Sequence, residues 1–364
     1  MNEPQRTREQ MNKPIVSVVM VVCNVDRFLA ESIESILGQT FRQFEFIIVD
    51  FGSTDNSEAI ASSYAAKDLR IKLHKIPHCT LGEARNAGCF LAQGRYIAIM
   101  DADDVSAPDR LMSEIAFMEQ HLQVGLLGGA VEWIDAAGRS LQVHYHPTED
   151  RELRCELATH SPFWQPTVLI RRDAFASVGG YRAIFAPAED YDLWLRIAEH
   201  FQIANLKQVV LKYRIHAFQV SLRKRAQQTL CILAAQASAS ARSLGNPDPL
   251  DSAEEITPAI LLGLGVTEAR RQREIASEYR LWIRHMCIAG EYVAALQAAL
   301  EVLQLDLKHV ERWQIADLHL TLGQLYWRQK RFAKSFLAAI HAVVTRPVVA
   351  GRPIRRLLRQ AGLV

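Results

Sequence analysis

Gly94-Arg95-Tyr96-Ile97-Ala98-Ile99-Met100-Asp101-Ala102-Asp103-Asp104, continued by Val105-Ser106-Ala107-Pro108-Asp109-Arg110, is the stretch around which the rest of the chain is arranged. Tyr96 to Met100 is a short apolar run of β-favouring residues and predicts a buried strand. Three carboxylates follow at once. Pro108 suits the first turn of a helix, where its missing N–H leaves nothing unsatisfied. Ligands of open α/β sheets sit beyond the carboxyl ends of the strands, which is where Asp101, Asp103 and Asp104 fall. Acids this close repel one another unless a cation lies between them. A hard divalent ion that keeps some waters and takes substrate phosphates suits such a place. A solvated acidic turn capping the next helix would use the same residues. A lone Asp-x-Asp favours that plainer reading, and the neighbouring motifs reverse it.

Outward from this stretch the chain alternates. Ile15 to Cys23 is almost wholly apolar, as in a strand buried on both faces of a parallel sheet. Phe28, Leu29, Ile33, Ile36 and Leu37 then recur at helical spacing. A strand over Phe44 to Val49 ends in Asp50, and a turn over Phe51 to Asp55 leads to a helix over Ser57 to Ala66. A strand over Arg70 to Ile76 and a helix over Gly82 to Ala92 lead back to Tyr96. Downstream come a helix over Leu111 to His121 and strands over Val124 to Trp133 and Gln165 to Arg171. A helix opened by Ala188-Glu189-Asp190-Tyr191 runs to about Phe201, and a last strand over Val209 to Ile215 has His216 directly behind it. Alternation at these spacings predicts an α/β fold with a doubly wound, mostly parallel sheet and crossover helices.

After Ser221 only helical patterns remain. The expected division is a tail over residues 1–13, an α/β catalytic domain over 14–221 and an all-α domain over 222–364. Ala289-Gly290-Glu291-Tyr292-Val293-Ala294-Ala295 resembles Gln329-Lys330-Arg331-Phe332-Ala333-Lys334-Ser335. Around the second, Leu322, Gly323, Tyr326, Ala342 and Pro347 match the tetratricopeptide spacing, and the first matches more loosely. An unrelated helical bundle explains the pattern equally well, since two repeats are fewer than a solenoid needs. At the end of the chain Ile354, Leu357, Leu358 and Ala361 line one side of a helical pattern rich in arginine. Such a helix either caps the preceding hairpin or lies on an anionic membrane leaflet.

The 364 residues are enough for two or three domains, and 49% hydrophobic with 23% charged residues is the balance of a soluble globular protein. The net charge of +2 conceals an asymmetry: residues 222–364 carry 20 Lys and Arg against 12 Asp and Glu, leaving 22 against 28 before them. Neither part has the basic block of a nucleic-acid binder, so no nucleic-acid partner is expected. Six scattered cysteines form no zinc spacing, and several lie in apolar runs as free thiols do. That points to a reducing compartment. Met1 to Lys13 has no apolar core of a signal peptide, and Ile15 to Cys23 is far short of the ~20 residues of a membrane span. The expected location is the cytoplasm, with peripheral contact to the inner face of the membrane through the C-terminal basic helix.

Seven motifs run in order. They are Val16 to Asn24, Glu31 to Thr40 (Glu-Ser-Ile-Glu-Ser-Ile-Leu-Gly-Gln-Thr), Ile47 to Asp55 (Ile-Ile-Val-Asp-Phe-Gly-Ser-Thr-Asp) and Glu83 to Gly88 (Glu-Ala-Arg-Asn-Ala-Gly). Then come Asp101 to Asp104, Glu189 to Trp194 (Glu-Asp-Tyr-Asp-Leu-Trp) and Tyr213 to His216 (Tyr-Arg-Ile-His). Together, from Ile15 to His216, they resemble the inverting family-2 nucleotide-sugar glycosyltransferases, which have the A-type glycosyltransferase fold. The resemblance implies a metal-dependent enzyme that moves a sugar from a nucleoside-diphosphate donor, most commonly linked to uridine, to a hydroxyl of a glycan, lipid-linked or other envelope acceptor. Asp101 and Asp103 correspond to the family's ligands for Mn²⁺ or Mg²⁺, and His216 to its late histidine at the metal and diphosphate. Asp104 then binds ribose, sugar or metal indirectly. Asp50 corresponds to the acid that accepts a hydrogen bond from the donor's base. A second Asp usually follows it, but here Phe51 stands, which alters ribose recognition and offers a ring to pack on the base. Arg85 presents a fork of donors to base or phosphate, or is a helix-surface arginine in a salt bridge. Asp190 corresponds to the base that takes the acceptor's proton, and is also placed as an N-terminal helix carboxylate, whose pKa the helix dipole would lower. Trp164 and Trp194 read as core.

Rival signals are missing: the sequence has no GxGxxG, GxxxxGK[ST], HExxH or GxSxG. The Gln-x-x-Arg-Trp motif and membrane spans of processive relatives are missing too, which favours single addition. A nucleotidyltransferase needs a Gly-rich basic loop after the first strand, where this chain has Cys23-Asn24-Val25-Asp26-Arg27. An inert nucleotide- or partner-binding scaffold would have no need to keep Asp101, Asp103, Asp190 and His216 together.

Overall fold

The computed structural model of the chain describes residues 13–217, 219 and 224–350. Its centre is β1 (Val16–Val22), every residue of which is buried. β2 (Phe44–Asp50) lies parallel to it on one side and β4 (Tyr96–Asp101) on the other, with β3 (Ile71–Lys75) parallel beyond β2. The crossovers are α1 (Asp26–Leu37), α2 (Ser57–Ala65) and α3 (Leu81–Leu91). Strands covered on both faces have no polar side, which is why these runs are apolar throughout. A Cβ on Gly88 of α3 would lie 2.5 Å from Val19 Cγ1, so glycine lets helix and strand approach.

The other half of the sheet is mixed. β8 (Leu169–Arg171) runs antiparallel to β4, and β6 (Val124–Ile134) antiparallel to β8. β9 (Gln202–Arg214) is parallel to β6, β5 (Val105–Ser106) pairs antiparallel with β9, and β7 (Ser140–His144) antiparallel with β6. The path is β3-β2-β1-β4-β8-β6-β9-β5. β8 starts at Leu169 rather than Gln165, because Pro166 has no N–H for a ladder and Gln165–Thr167 turns as a 3-10 helix. β9 starts at Gln202 rather than Val209, because pairing with β6 carries its polar first half. α4 (Arg110–Gln120), α5 (Asp150–Leu157), α6 (Arg172–Ser177) and α7 (Glu189–His200) complete this part.

Contacts divide the chain into two units. The first runs to Arg214 and includes Ala234–Glu255, and the second holds Ile215–Leu233 and the residues from Ile256 on. Residues of α8 (Arg225–Ser243) fall in both. In the second unit, α9 (Pro258–Gly263) precedes two helical hairpins, α10 (Glu268–Ala289) with α11 (Tyr292–Leu303) and α12 (Arg312–Arg328) with α13 (Phe332–Thr345). The two segments that resemble each other in sequence are the two hairpin turns. Each has a left-handed residue, Gly290 at φ 82° and Lys330 at φ 59°. In each, the next N–H reaches back five residues: Glu291 N to Met286 O and Arg331 N to Tyr326 O, both 2.9 Å. This is the Schellman way of ending a helix. Leu322, Gly323, Tyr326 and Ala342 are buried, and Ser335 Oγ donates to Gly323 O at 2.7 Å. Of the expected tail over residues 1–13 all but Lys13 lies outside the described residues, as does the C-terminal basic helix. Among the described residues no helix is long and apolar enough to cross a membrane.

Candidate active site

The carboxyl ends of β2 and β4 flank that of β1. Asp50 stands opposite Val22, and Asp101 opposite Val21. Asp50 Oδ1 accepts from Gly52 N at 3.0 Å and Ser53 N at 2.9 Å, closing the turn after β2. Its Oδ2 is buried without a partner. Asn24, at φ 54°, accepts from Thr54 N at 2.8 Å and Asp55 N at 3.3 Å through Oδ1, and Asp55 Oδ2 accepts from Asp26 N at 3.0 Å. The loops after β1 and β2 are thereby tied together. Beside them the rings of Phe51 and His78 lie nearly parallel, 6.2 Å apart.

The acidic loop is held from below by α1. Ser32 Oγ lies 2.9 Å from Ala102 O and 2.6 Å from Asp104 O, and Gln39 Nε2 donates to Ala107 O at 2.7 Å. The Glu31 to Thr40 motif is therefore the buttress of the acidic loop. Arg214 clamps the loop from β9. Its backbone N–H donates to Asp104 Oδ1 at 2.7 Å, its Nε to Asp103 O at 2.8 Å, and its NH2 to Glu31 Oε2 at 2.6 Å. Asp104 is fully buried with Oδ2 unpartnered. Burial, and then the charges of Asp103 and Asp101, hold its pKa well above the carboxylate range.

Arg85 joins the acidic loop to α7. It is 6% exposed. NH1 donates to Glu189 Oε1 at 2.5 Å and NH2 to Asp101 Oδ1 at 3.1 Å, while Nε is buried without a partner. Its guanidinium lies over the Tyr181 ring. Asn86, next to Arg85, exchanges two hydrogen bonds with the Tyr181 backbone, Nδ2 to O at 2.7 Å and N to Oδ1 at 2.9 Å. Arg85 is thus a buried cation between two carboxylates, with Nε unpartnered. Removing one member of a buried pair costs about 3–5 kcal/mol, because the remaining charge stays desolvated. Arg85→Met is expected to lose stability on that scale, and Arg85→Met with Glu189→Met to regain part of it. Chemical unfolding checks this, and an Arg85→Met midpoint equal to wild type would contradict it.

Asp190 opens α7, with Oδ1 accepting from Tyr191 N at 2.7 Å. Burial first, and the neighbouring Glu189 charge second, push its pKa up to about 6 against the pull of Arg85. The dipole at this helix start was expected to lower it; desolvation is the larger effect. Burial likewise raises Asp101, with Arg85 opposing and Asp103 adding to the rise. His216, buried two residues beyond β9, belongs to the second unit and is described apart from these acids. Trp194 is fully buried in the core, at an angle to Phe163, and half-buried Trp164 leans on Tyr213 at 4.9 Å. Sequence reading did not single out Glu189, Arg214, Glu31 or Ser32. All four lie inside motifs it quoted, so the signal was present but carried no role.

Among the described residues no three of His, Cys, Asp and Glu already converge as ligands. The donor set nevertheless fits a hard divalent cation. Such ions commonly take one or two carboxylates and complete their shell with water and substrate phosphate. The crowded acids that raise one another's pKa are relieved by a cation, and the orphaned Asp104 Oδ2 lies in the same loop.

Residues 17–179 match the family described as Glycosyl transferase family 2. The O-antigen biosynthesis glycosyltransferase WbnJ of Escherichia coli is 32% identical over 206 residues, which cover 56% of this chain and 80% of WbnJ. TarS of S. aureus, solved in complex with UDP, is 17% identical with a TM-score of 0.50, covering 92% of this chain and 91% of that one. The mannosyltransferase PcManGT of Pyrobaculum calidifontis, solved with GDP-Man and Mn²⁺, is 18% identical with a TM-score of 0.50, covering 91% and 86%. At those identities the two solved structures share the fold of this chain.

Proposed function

Because the chain belongs to glycosyl transferase family 2, and is a glycosyltransferase, we propose that it moves a sugar with inversion from a uridine diphosphate donor to a hydroxyl of a glycan or lipid-linked envelope acceptor, using Mn²⁺ or Mg²⁺. The observation that carries this reading is the acidic loop Asp101–Asp104 at the carboxyl end of β4, tied through Arg85 to the start of the helix bearing Asp190. The UDP of TarS and the GDP-Man and Mn²⁺ of PcManGT support donor and cation, and the O-antigen role in WbnJ's name supports an envelope acceptor.

In this reading Asp190 accepts the proton of the acceptor hydroxyl. The hydroxyl oxygen forms a bond to the anomeric carbon as the bond from that carbon to the diphosphate breaks on the opposite face, which inverts the centre. When bound there, a divalent cation would supply charge neutralisation for the leaving diphosphate. Asp101 and Asp103 would hold it. Asp50 Oδ2, the unpartnered acceptor, takes a base N–H, and the Phe51–His78 pair provides a flat wall for the base. Arg85 keeps Asp101 and Glu189 in place and offers Nε to a phosphate. Asp104, held by Arg214, shapes the loop and faces ribose or sugar. Residues 14–221 carry this chemistry, and 222–364 form a second, helical domain. All six cysteines are free thiols, which fits a cytoplasmic enzyme.

A panel of uridine, guanosine and thymidine diphosphate sugars, with Mn²⁺ or Mg²⁺ and assayed for released nucleoside diphosphate, tests the reading. Release from a uridine-linked donor that needs the metal is expected. No release from any donor would instead favour a binding scaffold.

A further inference from the structure

The last hairpin of the second unit carries a surface that glycosyl transfer does not use. On α13 (Phe332–Thr345), Phe332, Phe336, Leu337, Ile340 and Val344 are all exposed, Phe336 by 67% and Val344 by 74%. They recur at three-, four- and five-residue steps, so they share one side of the helix. The helix's other side packs on α12 through Ser335, Ala338 and Ala342. At the turn, the Phe332 ring stands on edge against Trp327, with centroids 4.8 Å apart. Single exposed apolar residues need no explanation, but a contiguous aromatic and aliphatic face does.

Charge says what covers it. Arg328 at the end of α12, Lys330 and Arg331 in the turn, Lys334 on α13 and Arg346 just after it are all exposed. After Asp317 the chain has nine Lys and Arg and no Asp or Glu up to Val364. The residues that follow α13 include Arg352, Arg355, Arg356 and Arg359, so the sequence beyond this helix is also positive. A second copy would set two such basic faces against each other. A partner that is apolar within and anionic outside satisfies both halves of the pattern.

We propose that the exposed face of α13 docks on an anionic lipid bilayer, with Phe332, Phe336 and Leu337 entering the headgroup boundary and the flanking basic residues meeting acidic headgroups. An amphipathic helix binds a bilayer by buried apolar area plus attraction to anionic lipid. Aromatic rings favour the membrane–water boundary. The inference does not depend on which donor or acceptor the enzyme uses.

Sedimentation of the full-length chain with vesicles tests it, comparing equal parts phosphatidylglycerol and phosphatidylcholine with phosphatidylcholine alone. Binding only to the anionic vesicles, weakened by salt, is expected. Phe336→Ser with Leu337→Ser should cut partitioning by roughly tenfold or more through lost apolar insertion. Arg355→Ser with Arg356→Ser should cut it by roughly fivefold for each charge removed. Both substituted apolar positions are exposed, so an unchanged thermal midpoint confirms that the fold survives. Equal binding to both vesicle types, or to neither, overturns the proposal. So does higher partitioning of the arginine variant, which would mean that the chain's end shields the face. A dimer in sedimentation velocity that the Phe336→Ser, Leu337→Ser variant abolishes while vesicle binding persists would assign the face to a second copy instead.

Discussion

Asp103→Ala is expected to leave the fold intact and to abolish both sugar transfer and metal-dependent nucleotide binding. The backbone of this residue is anchored separately from its carboxylate. Arg214 Nε holds the backbone carbonyl of Asp103, and Ser32 holds those of Ala102 and Asp104. Alanine keeps all of these, so the loop retains its anchors and loses one carboxylate. A cation that polarises a phosphoryl oxygen supplies several kcal/mol to the transition state. A loss of about 4 kcal/mol alone is roughly three orders of magnitude in rate. The checks are diphosphate release by the variant and calorimetry of nucleoside diphosphate binding with and without Mn²⁺. Donor binding in Mn²⁺ as tight as that of wild type would remove Asp103 from the metal site. Asp104→Ala should behave differently. That carboxyl receives the backbone N–H of Arg214 in a fully buried setting, so its loss strands a buried donor and lowers stability by about 1–3 kcal/mol.

The second large effect concerns the proton. Asp190→Asn should keep donor affinity and lower turnover by roughly two to four orders of magnitude, the usual reach of general base catalysis. The pH profile gives the role its signature. Burial and the Glu189 charge push the pKa of Asp190 up to about 6, and a base works only when deprotonated. The kcat/KM of wild type should therefore be flat above pH 6 and fall about tenfold per pH unit below it, as expected for one essential base of the free enzyme. The asparagine variant should lack that limb. If its turnover lies within a fewfold of wild type, another group accepts the proton. Glu189 is a poor candidate, because Arg85 already holds one of its oxygens at 2.5 Å.

Much of the fold could be read because periodicity and burial coincide in its parallel half. β1, β2 and β4 are buried at nearly every position, and their apolar runs mark them within a residue or two. The mixed half was harder. β5 has two residues and exists only through pairing with β9. The first half of β9, with Gln202, Asn205 and Lys207, has no apolar run to betray it. For the site, sequence could place carboxylates at strand ends but could not give their protonation. The pKa of Asp190 rises because the start of α7 is buried beside Glu189, a tertiary fact, whereas its position in the helix argued for the reverse. Arg85 shows the same limit. Its fork was legible, but its pairing with Glu189, 104 positions away, depends on how α3 and α7 meet. The two hairpin turns were visible as similar strings, while Lys330 in a left-handed conformation where the other turn has Gly290 was not.

If the acidic loop and a divalent cation together hold the donor's diphosphate, metal and nucleotide must raise each other's affinity. Free Mn²⁺ can be followed by electron paramagnetic resonance while the metal is titrated into the protein, with and without the nucleoside diphosphate that the donor panel releases. Mn²⁺ should bind the protein alone weakly, and nucleotide and metal should raise each other's affinity by the same factor, as linkage requires, with that coupling lost in Asp103→Ala. Nucleotide affinity in excess EDTA equal to that in Mn²⁺ would contradict it.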